Sequence, residues 1–282
     1  FAGLPGLQVC SRLVLVPHHH GALLQEHPDL TYAVVMPWVD GPTWMEVMIS
    51  KRELTQDLCV DLARSMAHVL TCMEQRGVAH CDLASGNLLL PALGRMERPA
   101  GAEAIALVDV EGVYGPGLVR PRDLMSGTSG YAHKTAGQAL WGAESDRFAG
   151  AMLLCEMLVW SQEVVRQMAY GESFFSSSEL QQDCPRFYVL RQALRQDWGE
   201  GLSRLFEQAW SSRTLADCPT FGEWQVMLSQ GEGGGGGGSG GAPPEQALAP
   251  GREALARGDW NYAMAFFGEL VARRQYLTQA QQ

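Results

Sequence analysis

The sequence predicts an α+β fold, with short strands in its first 110 residues and long helices around and after them. Three observations carry this. Apolar and β-branched runs at 12–16, 31–36, 87–90 and 105–110 are short and bounded by Pro, Gly, Asp or Asn, as strands are. Apolar residues recur at helical spacing at Leu58, Leu62, Met66, Val69, Leu70 and Met73. The stretch Ala151 to Trp160 is apolar nearly all round, which places a helix in the centre of a core.

Taken in order, Arg12-Leu13-Val14-Leu15-Val16 is the first strand, closed by Pro17. His18-His19-His20 follows. Three consecutive His cannot all face one ion from a regular element, so a loop is expected there rather than a metal cluster. Thr31 to Met36 is the second strand, and it runs into Pro37-Trp38-Val39-Asp40-Gly41-Pro42. Thr43 to about Lys51 reads as a short helix. Thr55-Gln56-Asp57 caps a longer one that stops at Gln75-Arg76-Gly77, with Gly at the expected end.

Val78 to Leu90 is a strand, a tight polar loop and a second strand, with Asp82 and Asn87 five apart across the loop. A Gly/Pro-containing turn, 91–103, leads to Ile105–Val110, which presents Asp109. Residues 109–135 are rich in Gly and Pro, as a surface segment is. The apolar helix starts near Ser145-Asp146-Arg147-Phe148, where an acidic residue suits the positive end of the helix dipole. Further helices are expected at about 163–170, 186–197, 201–211 and 221–230. Gly231 to Gly241 is almost pure Gly and, with Ala242-Pro243-Pro244, reads as a flexible linker. Glu253 to Arg274 is helical in pattern.

The composition sets bounds. Of 282 residues, 46% are hydrophobic and 18% charged, so a sizeable core is available. A net charge of −10 argues against a nucleic-acid surface, which needs a basic stripe. No apolar run is long enough to span a membrane, so no membrane partner is expected. Seven Cys are scattered singly without CxxC spacing, which suits free thiols in a reducing cytoplasm and offers no zinc site. The cations are 19 Arg and only two Lys, Lys51 and Lys134. There is no signal peptide, and the chain opens at Phe1 within what reads as a domain, so it is taken as part of a longer protein.

An Asp in a loop, an Asn five residues later and an Asp at a strand end suit phosphoryl transfer. One carboxylate orients a hydroxyl nucleophile, while the Asn and the other carboxylate hold a metal that neutralises phosphates. The bland alternative is two unrelated hairpins with turn-forming Asp and Asn. His80, Asp82 and Asn87 resemble the His, Asp and Asn of the H-R-D-L-x-x-x-x-N catalytic loop of the protein kinase superfamily, and Asp109 resembles the Asp of D-F-G. Gly127-Thr128-Ser129-Gly130-Tyr131 resembles the G-T-x-x-Y of serine/threonine kinases, and Cys218-Pro219-Thr220-Phe221 with Trp224 resembles the R-P-T-F-x-x-W that ends the domain. The resemblance covers roughly residues 10–230 and is closest to divergent bacterial serine/threonine kinases.

It implies a protein-kinase-like fold. Residues 1–40 would be a remnant of the small lobe and hinge, 41–230 the helical large lobe, 231–249 the linker and 250–282 a helical segment. ATP and Mg²⁺ are the implied cofactors. Met36 would be the gatekeeper, Pro37 O would accept from adenine, Val39 N–H would donate to the ring and Leu89 would floor the pocket. Pro is acceptable at that position because it lacks only the N–H. Asp82 would orient and deprotonate the acceptor, Asn87 and Asp109 would hold the metal, and the Thr128 hydroxyl would bond Asp82. His80 would give structural support, and Asp146 would bond the catalytic-loop backbone. Gly258-Asp259-Trp260-Asn261-Tyr262-Ala263 resembles part of a tetratricopeptide repeat, which implies a protein substrate or signalling partner for the C-terminal segment. The alternative there is a single amphipathic helix.

The departures matter as much. Cys81 stands where the family has Arg, so switching by loop phosphorylation is not expected. The A-P-E motif falls at His133-Lys134-Thr135 without its Glu, and its Arg partner is replaced by Cys218. Losing both members of a buried ion pair is tolerable, whereas losing one strands a charge. D-F-G has become Asp109-Val110-Glu111, and Ala84 stands where serine/threonine kinases carry Lys. No Gly-rich phosphate loop and no V-A-I-K-type Lys precede the hinge, so these residues hold only part of an ATP site. Three readings follow: a divergent protein kinase, an inactive kinase-like scaffold, and a small-molecule kinase of the aminoglycoside or choline type, whose I-D-W-E motif Asp109-Val110-Glu111 resembles.

Overall fold

Two thin antiparallel ribbons and a set of helices, about half the chain being helical, make up a mixed α+β fold in the computed structural model. The structure describes residues 1–95, 103–122, 127–135 and 141–230. The linker and the helical segment expected at 250–282, with its repeat-like residues, lie outside them.

The first ribbon pairs β1 (Leu13–Val14) with β2 (Val34–Val35), in the register Leu13↔Val35 and Val14↔Val34. Both strands are two residues long, shorter than their apolar runs, and all four residues stay about half exposed. No third strand covers this ribbon among the described residues. Between them lies α1 (Pro17–Glu26), which corrects the loop expected at His18–His20. Val16 is extended and Pro17 occupies the first helical position, where its fixed φ suits the helix and its missing N–H costs nothing. The Val16 N–H donates to His20 Nδ1 at 3.1 Å. The helix kinks at His20, whose φ of −122° leaves the helical region.

α2 (Trp44–Ile49) begins with a reciprocal cap: Glu46 N–H donates to Thr43 Oγ1, and Thr43 N–H to Glu46 Oε2. Thr55 caps α3 (Gln56–Glu74), accepting from the Leu58 N–H at 3.3 Å. The second ribbon pairs β3 (Leu88–Leu89) with β4 (Ala106–Leu107), in the register Leu88↔Leu107 and Leu89↔Ala106. Thr43 bridges to Leu89, and the Leu90 N–H donates to Pro42 O at 2.9 Å, so the stretch after β2 lies against β3. Gly41 permits this approach. Its φ is +130°, and a Cβ there would strike the Leu90 carbonyl.

α4 (Arg147–Val159) is buried at every residue after Arg147 and packs between α3 and α6. α5 (Glu163–Met168) is short. α6 (Pro185–Ser211) is interrupted at Gly199, φ 78°, which separates the two helices expected at 186–197 and 201–211. α7 (Phe221–Gln230) packs on α3. Fully buried aromatics fill the centre, among them Trp44 and Trp160, edge to face at 5.3 Å, with Phe148, Phe206 and Trp224. Each such side chain contributes about 1.5–3 kcal/mol or more by leaving water. Glu74 ties three helices: it accepts from Arg147 Nε at 2.6 Å and from the Phe221 N–H at 3.0 Å. Among the described residues, no helix is long and apolar enough to cross a membrane.

Candidate active site

The loop after Val78 is shaped from a distance. Ala79 bridges to Tyr114, and His80 and Cys81 then turn sharply, Cys81 at φ 66°. The fully buried carboxylate of Asp146, just before α4, accepts from the His80 N–H at 2.6 Å and from the Cys81 N–H at 2.9 Å. Burial pushes the Asp146 carboxyl up, and the neighbouring His80 and these two bonds oppose that. The buried His80 ring places Nε2 2.7 Å from Val108 O, which joins the loop to the segment leading to Asp109 and puts the ring proton on Nε2. Burial and the Asp146 charge raise the Cys81 thiol to about 11, so it is a neutral thiol and no nucleophile.

Three of the residues expected to act together are in contact. Thr128 Oγ1 donates to Asp82 Oδ1 at 2.8 Å, although 46 residues separate them. Asn87 Nδ2 donates to Asp82 O at 2.8 Å, and its 3.5 Å distance to Asp82 Oδ2 is too long to hold that oxygen firmly. Among the described residues, Asp82 Oδ2 has only that long contact and Asn87 Oδ1 has no hydrogen-bond partner.

Asp109 sits at the end of the second ribbon with left-handed backbone, φ 59°. Its carboxyl is exposed and hydrogen-bonded to that of Glu111. This bond pushes Asp109 up and Glu111 down, and the Asp82 charge adds to the rise at Asp109. Glu111 also takes Arg12 Nη2 at 2.9 Å. Among the described residues, no group of three His, Cys, Asp or Glu side chains is arranged to hold an ion. The Asp109 and Glu111 carboxyls and the Asn87 amide each offer hard oxygen donors, the ligand type Mg²⁺ takes.

Met36, Pro37 and Val39 follow β2 on the surface, with Met36 about half exposed and Trp38 85% exposed. No described residue hydrogen-bonds to Pro37 O or to the Val39 N–H. Leu89 is half-buried in β3, next to the strand-like stretch at Thr43.

Several groups emerge only from the structure. Glu156, in the middle of α4, accepts from Trp44 Nε1 at 2.9 Å, Tyr131 OH at 3.0 Å and the Phe174 N–H at 3.2 Å. A single acid inside an apolar helix was its one signal in the sequence. Ser85 Oγ donates to Glu172 O at 2.5 Å. Where the A-P-E ion pair would lie, His133 Nε2 meets Ser212 Oγ at 3.1 Å and Cys218 Sγ meets the same oxygen at 3.2 Å. Ser212 Oγ thus joins His133 and Cys218 through neutral contacts. Burial lowers the His133 pKa and raises the Cys218 thiol, which keeps both neutral. All seven Cys are unbridged.

A scan against protein-family models finds no match, and no curated protein matches the sequence.

Proposed function

We propose that this chain carries the catalytic half of a divergent, kinase-like phosphotransferase that moves the γ-phosphate of ATP to a protein hydroxyl, in the cytoplasm. The observation that carries this reading is the Thr128–Asp82 hydrogen bond, which holds one oxygen of a loop carboxylate and leaves the other open. The clamp of Asp146 on the His80 and Cys81 amides supports it, because it fixes the backbone from which Asp82 projects.

In this reading Asp82 orients the acceptor hydroxyl and takes its proton as the hydroxyl oxygen bonds the γ-phosphorus and the bond to the β-phosphate oxygen breaks. Asn87 and Asp109 would hold Mg²⁺, which supplies charge neutralisation at the phosphates. In this reading Pro37 O and the Val39 N–H, which make no hydrogen bond to a described residue, would pair with adenine, and Met36 and Leu89 would line its pocket.

The test is transfer from γ-labelled MgATP by the full-length protein beside its Asp82→Asn and Asp109→Ala variants. Label in protein, lost in both variants, is expected. Equal labelling by Asp82→Asn would sink the proposal. The Asp109–Glu111 bond favours a second reading, a small-molecule kinase with a D-x-E metal loop. Label on an amino alcohol or aminoglycoside, and on no protein, would select it.

A further inference from the structure

We propose that Cys72 is the reactive thiol of this chain, a site where a small-molecule disulfide attaches by thiol–disulfide exchange, with His68 as the base that receives the thiol proton. The inference is independent of the phosphotransfer reading.

Ser65, His68 and Cys72 stand three and four residues apart on α3, so they share one stripe of the helix, beside the buried stripe of Leu62, Met66, Val69 and Met73. Cys72 Sγ lies 3.8 Å from His68 Nε2 and 3.9 Å from Nδ1, within the reach of a sulfur contact to either nitrogen. His68 Nε2 lies 3.7 Å from Glu103 Oε1, three residues before β4. The other Glu103 oxygen accepts from Ser65 Oγ at 2.7 Å, and Ser65 Oγ accepts from the Ala104 N–H at 2.9 Å, which fixes the acid against α3. From α7, the Gln225 amide approaches His68 Nδ1 at 3.5 Å and brings no charge. Thiol, imidazole and carboxylate thus follow one another as nucleophile, base and the group that steadies the charged base. The His68 and Glu103 side chains are 44% and 22% exposed and Cys72 is half-buried, so the sulfur lies at the surface end of the series.

The other six cysteines lack this arrangement. Cys59, Cys155, Cys184 and Cys218 are buried. Burial pushes these four thiols up, and those of Cys10 and Cys81 as well, which keeps all six protonated and slow to attack. Among the described hydrogen bonds, no imidazole meets any of their sulfurs directly.

The exchange balances with the disulfide as its one co-reactant. The Cys72 proton passes to His68, and the sulfur attacks one sulfur of the disulfide. The S–S bond breaks, a bond from Cys72 Sγ to the attacked sulfur forms, and the leaving thiolate takes the proton back from His68. Glu103 steadies the imidazolium between the two transfers. Among the described residues these groups are not arranged to hold an ion, so exchange is the chemistry they support.

The experiment treats the folded full chain with glutathione disulfide and follows the adduct on each cysteine by peptide mass spectrometry. Wild type, Cys72→Ser and His68→Gln are compared at about pH 7 and about pH 9.5, above the ordinary thiol range. The first mixed disulfide should form on Cys72, and the fast phase should vanish in Cys72→Ser. His68→Gln should react about tenfold slower at the lower pH, because exchange follows the thiolate fraction, and should match wild type at the higher pH, where the thiol ionises without a base. Circular dichroism checks the fold, and Glu103→Gln, slowed at the lower pH alone, carries the comparison if His68→Gln does not fold. A first adduct on another cysteine overturns the proposal. So does a His68→Gln rate equal to wild type at about pH 7, or one equally slow at both pH values, which would make His68 a matter of access and not of proton transfer.

Discussion

Thr128 reaches Asp82 across 46 residues of chain, and the 2.8 Å bond between their side chains fixes one carboxylate oxygen while leaving its twin for other work. A hydroxyl donor can be replaced by another hydroxyl but not by a methyl group. Thr128→Ala should therefore lower phosphotransfer about 10- to 100-fold, and Thr128→Ser should restore most of it. Steady-state kinetics on both variants would check this. Full activity in Thr128→Ala would show that the bond orients nothing.

Asp146 satisfies two buried amides with two oxygens, and Asn offers only one acceptor. Asp146→Asn should cost about 1.5–3 kcal/mol, and Asp146→Ala more, since both N–H groups then lack partners. Urea titrations followed by tryptophan fluorescence would measure the loss. A variant as stable as wild type would mean that water replaces the carboxylate freely.

Glu74 links α3 to α4 through Arg147 and to α7 through the Phe221 amide, with both charged side chains mostly buried. Glu74→Ala leaves a cation and an amide unpaired, so it should cost more than Arg147→Ala. A double-mutant cycle should give an interaction energy of about 1–3 kcal/mol. Additive losses would dissolve the pair into two independent effects.

Burial raises the Glu156 carboxyl from its ordinary 4.5 to about 7. A folded-state value above the unfolded one means the native protein keeps a proton that the unfolded chain has released. Stability from this group thus falls as pH rises from about 4.5 to about 7 and is level above that. Stability curves of wild type and Glu156→Gln measured from pH 5 to 8 should diverge across that window, by up to roughly 3 kcal/mol. Parallel curves would place the titration outside the folded range.

What could be read from the sequence depended on how far each partner lay from a recognisable motif. Two contacts implied by the kinase-like motifs, Thr128 to Asp82 and Asp146 to the loop backbone, are found in the fold. The apolar runs at 12–16 and 31–36 predict longer strands than the two-residue β1 and β2, because such runs look the same whether a ribbon is covered or exposed. Three adjacent His residues suggest a loop, but Pro17 at the first helical position is the signal that marks a helix there. The role of Glu156 could not be read at all: its partners come from positions 44, 131 and 174, brought together only by packing. Ser212, which bridges His133 and Cys218, belongs to neither motif that drew attention to them.

The turn at Cys81 has a consequence for how this loop can change. A side chain larger than Gly in left-handed backbone costs about 1–2 kcal/mol, and here the two bonds from Asp146 offset it. The shape of the loop is therefore stored 65 residues away, at the foot of α4, rather than in the loop's own residues. The half-buried thiol at position 81 then limits which side chains can replace it, but it does not set the path of the loop.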